Sequence, residues 1–271
     1  MNLFKRARIL YILRRHSIEH QLWESVSKKL SVIHQGMSSV EKAHLRELST
    51  LFLHGKNIFG VQGLQLTDEM RVIIAAQACL PVLGLGFDLL HGCNDVIIYP
   101  GAFRVSRDEI DEVGIVHHNE RILSGEAWSR GPVILSWQNI ELDMQNQQQG
   151  HNVIVHEIAH KLDILRAEYM LNGLANGTPP LHVAMQRTQW ASVFSVAYEQ
   201  LNQRLEHHHR VCINPYAAFS PAEFFAMFSE YFFCAPDILN SHFADVYRQL
   251  RLYYRQDPLL RRITNKPLVQ A

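Results

Sequence analysis

The sequence has few cysteines, no net charge and no long apolar run, and each of these absences excludes a class of protein. It contains 4 cysteines among 271 residues, far apart and with no C-x-x-C pair. This usage argues against a zinc knuckle or a disulfide scaffold and indicates buried thiols in a reducing compartment. Basic and acidic residues are equal at 26 each, so the overall charge indicates neither direct nucleic-acid binding nor a membrane-surface partner.

The N-terminal segment "MNLFKRARILYILRRHS" is the part of the chain most similar to a targeting signal. Its apolar run "ILYIL" is followed directly by Arg14 and Arg15, and it is too short for the apolar region of a signal peptide. No stretch approaches the roughly 18 apolar residues of a transmembrane helix. We therefore expect a cytoplasmic protein without a membrane span, whose first helix packs on the body; a membrane-surface anchor is the alternative.

Capping residues and periodicity predict the main elements. Ser38 and Glu41 form a capping box ahead of a helix that ends near Gly55, and Thr67 begins a buried helix that runs to about Pro81. The runs "DVIIYPG" and "GPVILSW" are typical of buried strands. After a Gly/Pro-rich loop, helices are predicted over residues 182–205, 221–234 and 238–255, with His207–His209 in a solvated turn between them. Strands before residue 150 and helices after it indicate an α+β fold.

The segment "NVIVHEIAHKLD", residues 152–163, carries an H-E-x-x-H motif. On a helix capped by Asn152, His156 and His160 lie one turn apart, so their imidazoles can converge on one metal ion. The motif alone is a hypothesis, because a chain with 16 histidines contains it by chance in roughly 5% of cases. The alternative is a pair of core histidines hydrogen-bonded to backbone.

A catalytic zinc site needs three protein ligands and one open position. The third ligand does not follow at the G-x-x-H spacing, because Asp163 and Arg166 stand at those positions. The best candidate is Glu223, in "NPYAAFSPAEFFAMFSEYFF". Its alternative role is to close a capping box with Ser220. The helix that follows is almost wholly apolar, however, and a carboxylate on a buried helix needs a strong partner.

Four segments together resemble a known family: "VIIYPGAF", "GEAWSRGPVILSW", "HEIAHKLD" and "YAAFSPAEFFAMFSEYFF". Over about residues 55–260 they are similar to the Mlc titration factor A family of zinc peptidases, which in turn resembles the catalytic domain of anthrax lethal factor. The resemblance implies a zincin-like fold with a small mixed sheet and an H-E-x-x-H active-site helix. Residues 51–271 would form the zinc metallopeptidase domain, and residues 1–50, which match least, a helical extension packed on it.

The resemblance also implies roles for individual residues. One Zn²⁺ per chain would be held by His156, His160 and Glu223, with Glu157 as the general base. Lethal factor has an acid four residues after its zinc glutamate, where this chain has Met227. The residue that orients a zinc histidine is therefore open, and Asp163 and Glu230 are the candidates.

Two further residues are implied at the site. Tyr216, seven residues before Glu223, would face the metal and stabilise the oxyanion together with it. A histidine in "GIVHHNE", best matched by His117, would lie near or on the metal, although His118 leaves the register ambiguous. A fourth ligand from this segment would close the site and imply a resting form.

The predicted function is zinc-dependent hydrolysis of peptide bonds, without a choice between aminopeptidase and endopeptidase. The strand "GPVILSW" is expected at the edge of the sheet, where it could hold an extended peptide, with an ordinary central strand as the alternative. The family's name refers to binding of the repressor Mlc, so a repressor of the Mlc type is a further candidate partner. The alternative function is a non-catalytic regulatory protein that sequesters such a repressor.

Overall fold

The computed structural model describes residues 3–110, 116–123, 125–127, 131–146, 149–171 and 185–264, which form a mostly helical α+β structure with a small sheet. Its helices are α1 (Leu3–Arg15), α2 (His20–Lys29), α3 (Ser39–Gly55), α4 (Asp68–Cys79), α5 (Trp137–Gln145), α6 (Val153–Leu171), α7 (Arg187–Glu206), α8 (Pro221–Cys234), α9 (Pro236–His242), α10 (Ala244–Tyr254) and α11 (Pro258–Thr264). Its strands are β1 (Asn57–Gly60), β2 (Asp95–Tyr99), β3 (Phe103–Ile110), β4 (Val116–Leu123), β5 (Gly125–Ala127) and β6 (Val133–Ser136). Short 3-10 helices span Phe87–Leu90 and Pro215–Ala218.

The main sheet has the strand order β1-β2-β6-β5, and β3 and β4 form a separate antiparallel pair. Strands β1, β2 and β6 are parallel, whereas β5 pairs antiparallel with β6. The segment "GPVILSW" contains β6, so the expectation of an edge strand is wrong, and the alternative of an internal strand holds. Val133 and Leu135 are buried in β6, as is usual for parallel strands inside a sheet.

The capping residues begin helices where the sequence predicted. Before α3, Ser38 Oγ accepts a hydrogen bond from Glu41 N, and the Glu41 carboxylate accepts one from Ser38 N. Before α4, Thr67 Oγ1 accepts from Met70 N. Helix α8 covers the predicted residues 221–234. These ends are predictable because the donors and acceptors that define them are neighbours in sequence.

The predicted helices over 182–205 and 238–255 differ from the observed ones. Helix α7 begins only at Arg187; the Gly/Pro-rich loop and residues 182–184 lie outside the described residues. The second prediction becomes two helices, α9 and α10, which meet at Phe243. Phe243 has a non-helical backbone (φ −140°, ψ 56°) and packs edge-to-face on Phe228 with 4.9 Å between ring centroids, so burying this ring interrupts the helix.

Residues 3–50 are mostly helical, and part of them is buried. Trp23 and Val26 of α2 belong to the hydrophobic core, and α2 packs against α4. Helix α3 runs through residues 50 and 51, where the N-terminal extension was expected to end. The division into an extension and a peptidase domain stays a prediction.

Among the helices that the described residues form, none combines the length and apolar character needed to cross a bilayer.

Apolar packing fixes the helix that carries the H-E-x-x-H sequence. Helix α6 packs against α4 and α8. It buries Ile154, Val155, Ile158 and Ala159, each at most 1% exposed. The aromatic residues of α8 are also buried, each at most 5% exposed. Because protein interiors are close-packed, α6 and α8 hold their polar side chains in fixed relative positions.

Candidate metal centre

Helix α6 brings His156 and His160 together, as their spacing predicts. Asn152 caps the helix, since its Oδ1 accepts a hydrogen bond from Val155 N at 3.0 Å. The two imidazoles then lie on one face of the helix, with their Nε2 atoms 3.0 Å apart. Two ring nitrogens at this distance can share one proton or bind one cation. The Nε2 atom of each ring therefore faces the other ring and not the backbone.

The first turn of α8 supplies a carboxylate to the same point. Glu223 Oε2 lies 3.1 Å from His156 Nε2 and 3.5 Å from His160 Nε2. The capping alternative is present too, because Ser220 Oγ accepts from Glu223 N at 3.1 Å. The cap uses the backbone of Glu223, and its carboxylate is directed at the imidazoles. One ligand atom from each of these three residues lies within 4.8 Å of the others.

The chemistry of this donor set fits a divalent transition-metal ion. Two imidazole nitrogens and one carboxylate oxygen are a common ligand set of catalytic metal sites. Glu223 Oε2 is buried, and although both imidazoles lie beside it, it accepts no well-directed hydrogen bond from the described residues. A buried carboxylate oxygen without a donor is costly, and a cation between the three ligands would satisfy it. The residues present therefore fit a metal ion.

The three ligand candidates influence one another's protonation. Burial would raise the pKa of Glu223, but its proximity to His156 and His160 outweighs this effect and lowers the pKa to about 2. Burial would likewise lower the pKa of His156, but Glu223 and Glu230 outweigh it and raise that pKa well above its ordinary value. The carboxylates therefore give the cluster an affinity for positive charge, whether a proton or a metal ion.

Glu157 follows the first histidine and is buried, with 3% of its surface exposed. Its Oε2 has no hydrogen-bond partner within the described part of the chain. Burial raises the pKa of Glu157 to about 8; Glu223 and Glu230 add to this rise, while His156 opposes it. A nearby cation would lower this pKa by favouring the carboxylate. The residue can thus accept or release a proton near neutral pH.

Glu230, one of the two candidates that the sequence left open for orienting a zinc histidine, lies on α8 beside the cluster. Its Oε1 accepts a hydrogen bond from His156 Nδ1 at 2.7 Å. The side chain is 3% exposed. A carboxylate behind a metal-binding histidine fixes the orientation of the ring.

With this geometry in view, comparison with known proteins places the chain in a family. The sequence model described as glucose-regulated metallo-peptidase M90 matches residues 1–255. The chain belongs to this family. It is 39% identical over 228 residues to Mlc titration factor A of Pectobacterium atrosepticum, covering 83% of each chain. It is 37% identical over 233 residues to Mlc titration factor A of Klebsiella pneumoniae, covering 84% of each. An uncharacterized protein of Synechocystis is 35% identical over 239 residues, covering 88% of this chain and 85% of the relative.

The remaining site candidates of this M90-family chain lie on other elements. Tyr216 is in the 3-10 helix Pro215–Ala218, which packs against α8. It is 43% exposed, and its ring stacks on Phe219 with 5.6 Å between centroids. His117 lies on β4, opposite Glu109 of β3; its side chain is outside what the structure describes. Their roles at the metal stay predictions.

Three polar residues around α6 were not predicted from the sequence. Asp143 of α5 accepts from Val153 N at 2.7 Å, and burial raises its pKa to about 7. Gln77 of α4 accepts from Asn152 Nδ2 at 2.6 Å. Lys161 donates to the backbone oxygen of Gly131 at 2.7 Å, which joins α6 to the segment before β6. No local motif marks these residues, because each partner is at least ten positions away.

Proposed function

We propose that the protein is a zinc-dependent peptidase in which His156, His160 and Glu223 hold one zinc ion per chain. The observation that carries the proposal is the convergence of these three donors within 4.8 Å, from a helix with an H-E-x-x-H sequence and from the first turn of α8. Two histidines and one glutamate leave a fourth position open for a reacting group. Membership of a metallopeptidase family supports the same reading.

Bound zinc would polarise a peptide carbonyl and make a water more acidic. Glu157 then serves as the general base: it takes a proton from the attacking water and delivers it to the leaving amine. Its burial and its unpartnered Oε2 support this role, because a base needs a free acceptor atom beside the reacting groups. Burial raises the pKa of Glu157 to about 8, and this supports the second half of the role, in which the carboxyl group holds the proton until the leaving amine takes it.

Two further residues complete the proposed site. Tyr216 donates its hydroxyl hydrogen to the oxyanion, supported by its partial exposure on an element packed against α8. His117, on β4, approaches the metal in a resting form of the protein. Successive residues of a strand face opposite sides, so only one of His117 and His118 can do so.

The proposed substrate is a peptide bound in extended form. We expected the peptide to bind beside "GPVILSW", but β6 is an internal strand. The proposed binding strand is therefore β5, which lies next to β6 at the end of the strand order. A peptide added beside β5 would use its backbone donors and acceptors. This mode of binding is compatible with either aminopeptidase or endopeptidase action.

A second candidate function is binding of a transcription repressor of the Mlc type. It is favoured by the names of two relatives, both Mlc titration factor A, which the chain matches over more than four-fifths of its length. A repressor partner would place the protein in the cytoplasm, in line with the free thiols of Cys79, Cys93 and Cys234 in the core. The two functions can coexist if binding and hydrolysis use different residues.

Metal analysis of the purified protein, combined with a peptide-hydrolysis assay, tests the proposal. We expect about one zinc per chain and hydrolysis that a chelator removes and added zinc restores. A protein that holds no metal after purification and after incubation with zinc would contradict the metal centre. A protein that holds zinc and binds an Mlc-type repressor, but cleaves no peptide, would favour the regulatory function.

A further inference from the structure

We infer that Glu230 is a positioning residue. One of its carboxylate oxygens fixes the proton of His156 on Nδ1, and the other anchors the start of the metal-binding helix. Its Oε1 lies 2.7 Å from His156 Nδ1, and its Oε2 accepts from Asn152 N at 2.5 Å. The carboxylate therefore contacts α6 at two points one turn apart. This inference rests on the proposed metal centre.

The contact with His156 determines which ring nitrogen carries the hydrogen. An ionised carboxylate can only accept hydrogen bonds, so His156 Nδ1 must be the donor. In a neutral ring the lone pair is then on Nε2, the atom that faces His160 and Glu223. Glu230 thus presents His156 to a metal ion in the correct tautomer. Its negative charge also makes the ring a stronger ligand.

The second contact anchors the first turn of α6. Asn152 precedes the helix, and its backbone N–H is held by Glu230. The Asn152 side chain accepts from Val155 N and donates to Gln77 of α4. All three members of this chain of hydrogen bonds are at most 4% exposed: Gln77, Asn152 and Glu230. Buried hydrogen bonds of this kind resist displacement because a broken pair would leave unsatisfied groups.

Helix α8 carries both carboxylates that approach His156. Glu223 and Glu230 are seven residues apart, which is about two helical turns, so they lie on the same face of α8. One is the proposed ligand on the Nε2 side of the ring, and the other contacts Nδ1. The imidazole is therefore held from both sides by one rigid helix.

Replacing Glu230 with Gln tests this double role. The amide has an NH2 donor in place of one carboxylate oxygen, so either His156 Nδ1 or Asn152 N loses its acceptor. We expect zinc affinity to fall by about 10- to 100-fold, seen as faster zinc transfer to a chelating dye. The cobalt-substituted protein should also change its visible absorption, because the orientation and basicity of a ligand alter the ligand field.

Asp143→Asn is the matched control. Asp143 also accepts a hydrogen bond at the start of α6, from Val153 N. Its pKa of about 7 leaves it largely ionised at pH 8, so at that pH the variant removes a nearby negative charge while keeping an acceptor. We expect this variant to keep the zinc transfer rate and the cobalt spectrum of the unmodified protein. An equal effect of both substitutions would overturn the inference, because general charge or helix anchoring would then explain it.

Two other outcomes would be decisive. Unchanged zinc transfer and an unchanged cobalt spectrum in Glu230→Gln would overturn the positioning role, while the metal centre itself would stand. If Glu230→Gln does not fold, Glu230→Asp replaces it: the shorter side chain keeps the charge but cannot span both contacts, and the same loss is expected. An unmodified protein that binds neither zinc nor cobalt would instead contradict the proposed function.

Discussion

Glu223 combines two roles that a sequence cannot separate. Its backbone N–H is capped by Ser220, and its carboxylate lies beside both imidazoles of α6. A capping box would have turned this carboxylate back to the start of α8. The burial of the helix explains why the carboxylate is directed at the imidazoles instead. A charged group at a buried helix end is stable only with a partner of opposite charge.

Separate substitutions distinguish these roles. Glu223→Ala keeps the backbone cap but removes one of three ligands, so we expect tight zinc binding to be lost. Ser220→Ala is the control: losing the cap should lower the unfolding free energy by about 1 kcal/mol and leave zinc binding intact. The measurements are zinc titration and urea unfolding. Full zinc affinity in Glu223→Ala would show that the glutamate is only part of a cap.

Tyr216 gives a second test at a single residue. Tyr216→Phe removes one hydroxyl donor and keeps the ring that stacks on Phe219. If the hydroxyl acts mainly in the transition state, kcat should fall by roughly 10- to 1000-fold with little change in KM. Steady-state kinetics on a cleaved peptide measures both constants. Unchanged kcat would mean that Tyr216 only packs.

Helices with local signals were predictable, and those with distant partners were not. The cap of α3 and the extent of α8 follow from adjacent residues. The break at Phe243 depends on Phe228, fifteen positions earlier, and no local pattern reveals that contact. The same holds for the site: the pair on α6 follows from spacing, whereas the contact between Glu230 and His156 depends on how α6 and α8 pack.

The cap of α3 allows a prediction about this helix as a unit. Ser38→Ala removes the acceptor for Glu41 N, so we expect the unfolding free energy to fall by about 1 kcal/mol. Ser39→Ala is the control, because it removes a hydroxyl at the neighbouring position without touching the capping box. Urea unfolding of both variants gives the comparison. Equal stability of the two would mean that the cap contributes nothing.

The buried histidine of the N-terminal region makes the stability of the whole molecule depend on pH. His34 is 4% exposed, and its ring stacks on Trp23 at 5.9 Å between centroids. Neither of its ring nitrogens has a hydrogen-bond partner in the described ranges. Burial, with a smaller effect of Lys42, lowers the pKa of His34 from 6.5 to about 4. The unfolded chain therefore binds this proton more readily than the folded protein does.

Stability should accordingly fall as the pH decreases through the interval between those two pKa values. Well above pH 6.5 the histidine is neutral in both states, and its contribution is constant. Between about pH 7.5 and about pH 5.5, His34 alone should reduce the unfolding free energy by about 1 kcal/mol. We expect His34→Phe to be less sensitive to pH by this amount, with His20→Phe, at an exposed position, as control. The same pH dependence in His34→Phe as in the unmodified protein would contradict the assignment.

The central claim is that the cluster on α6 and α8 is a hydrolytic metal centre, and Glu157→Gln tests it most directly. The amide keeps the shape of the side chain and removes the proposed base, while the three ligands stay in place. We expect unchanged zinc content and a rate of peptide hydrolysis lower by about 10²- to 10⁴-fold. An unmodified protein that carries a full complement of zinc and cleaves no peptide in a broad library, or a Glu157→Gln variant as active as the unmodified protein, would contradict the account.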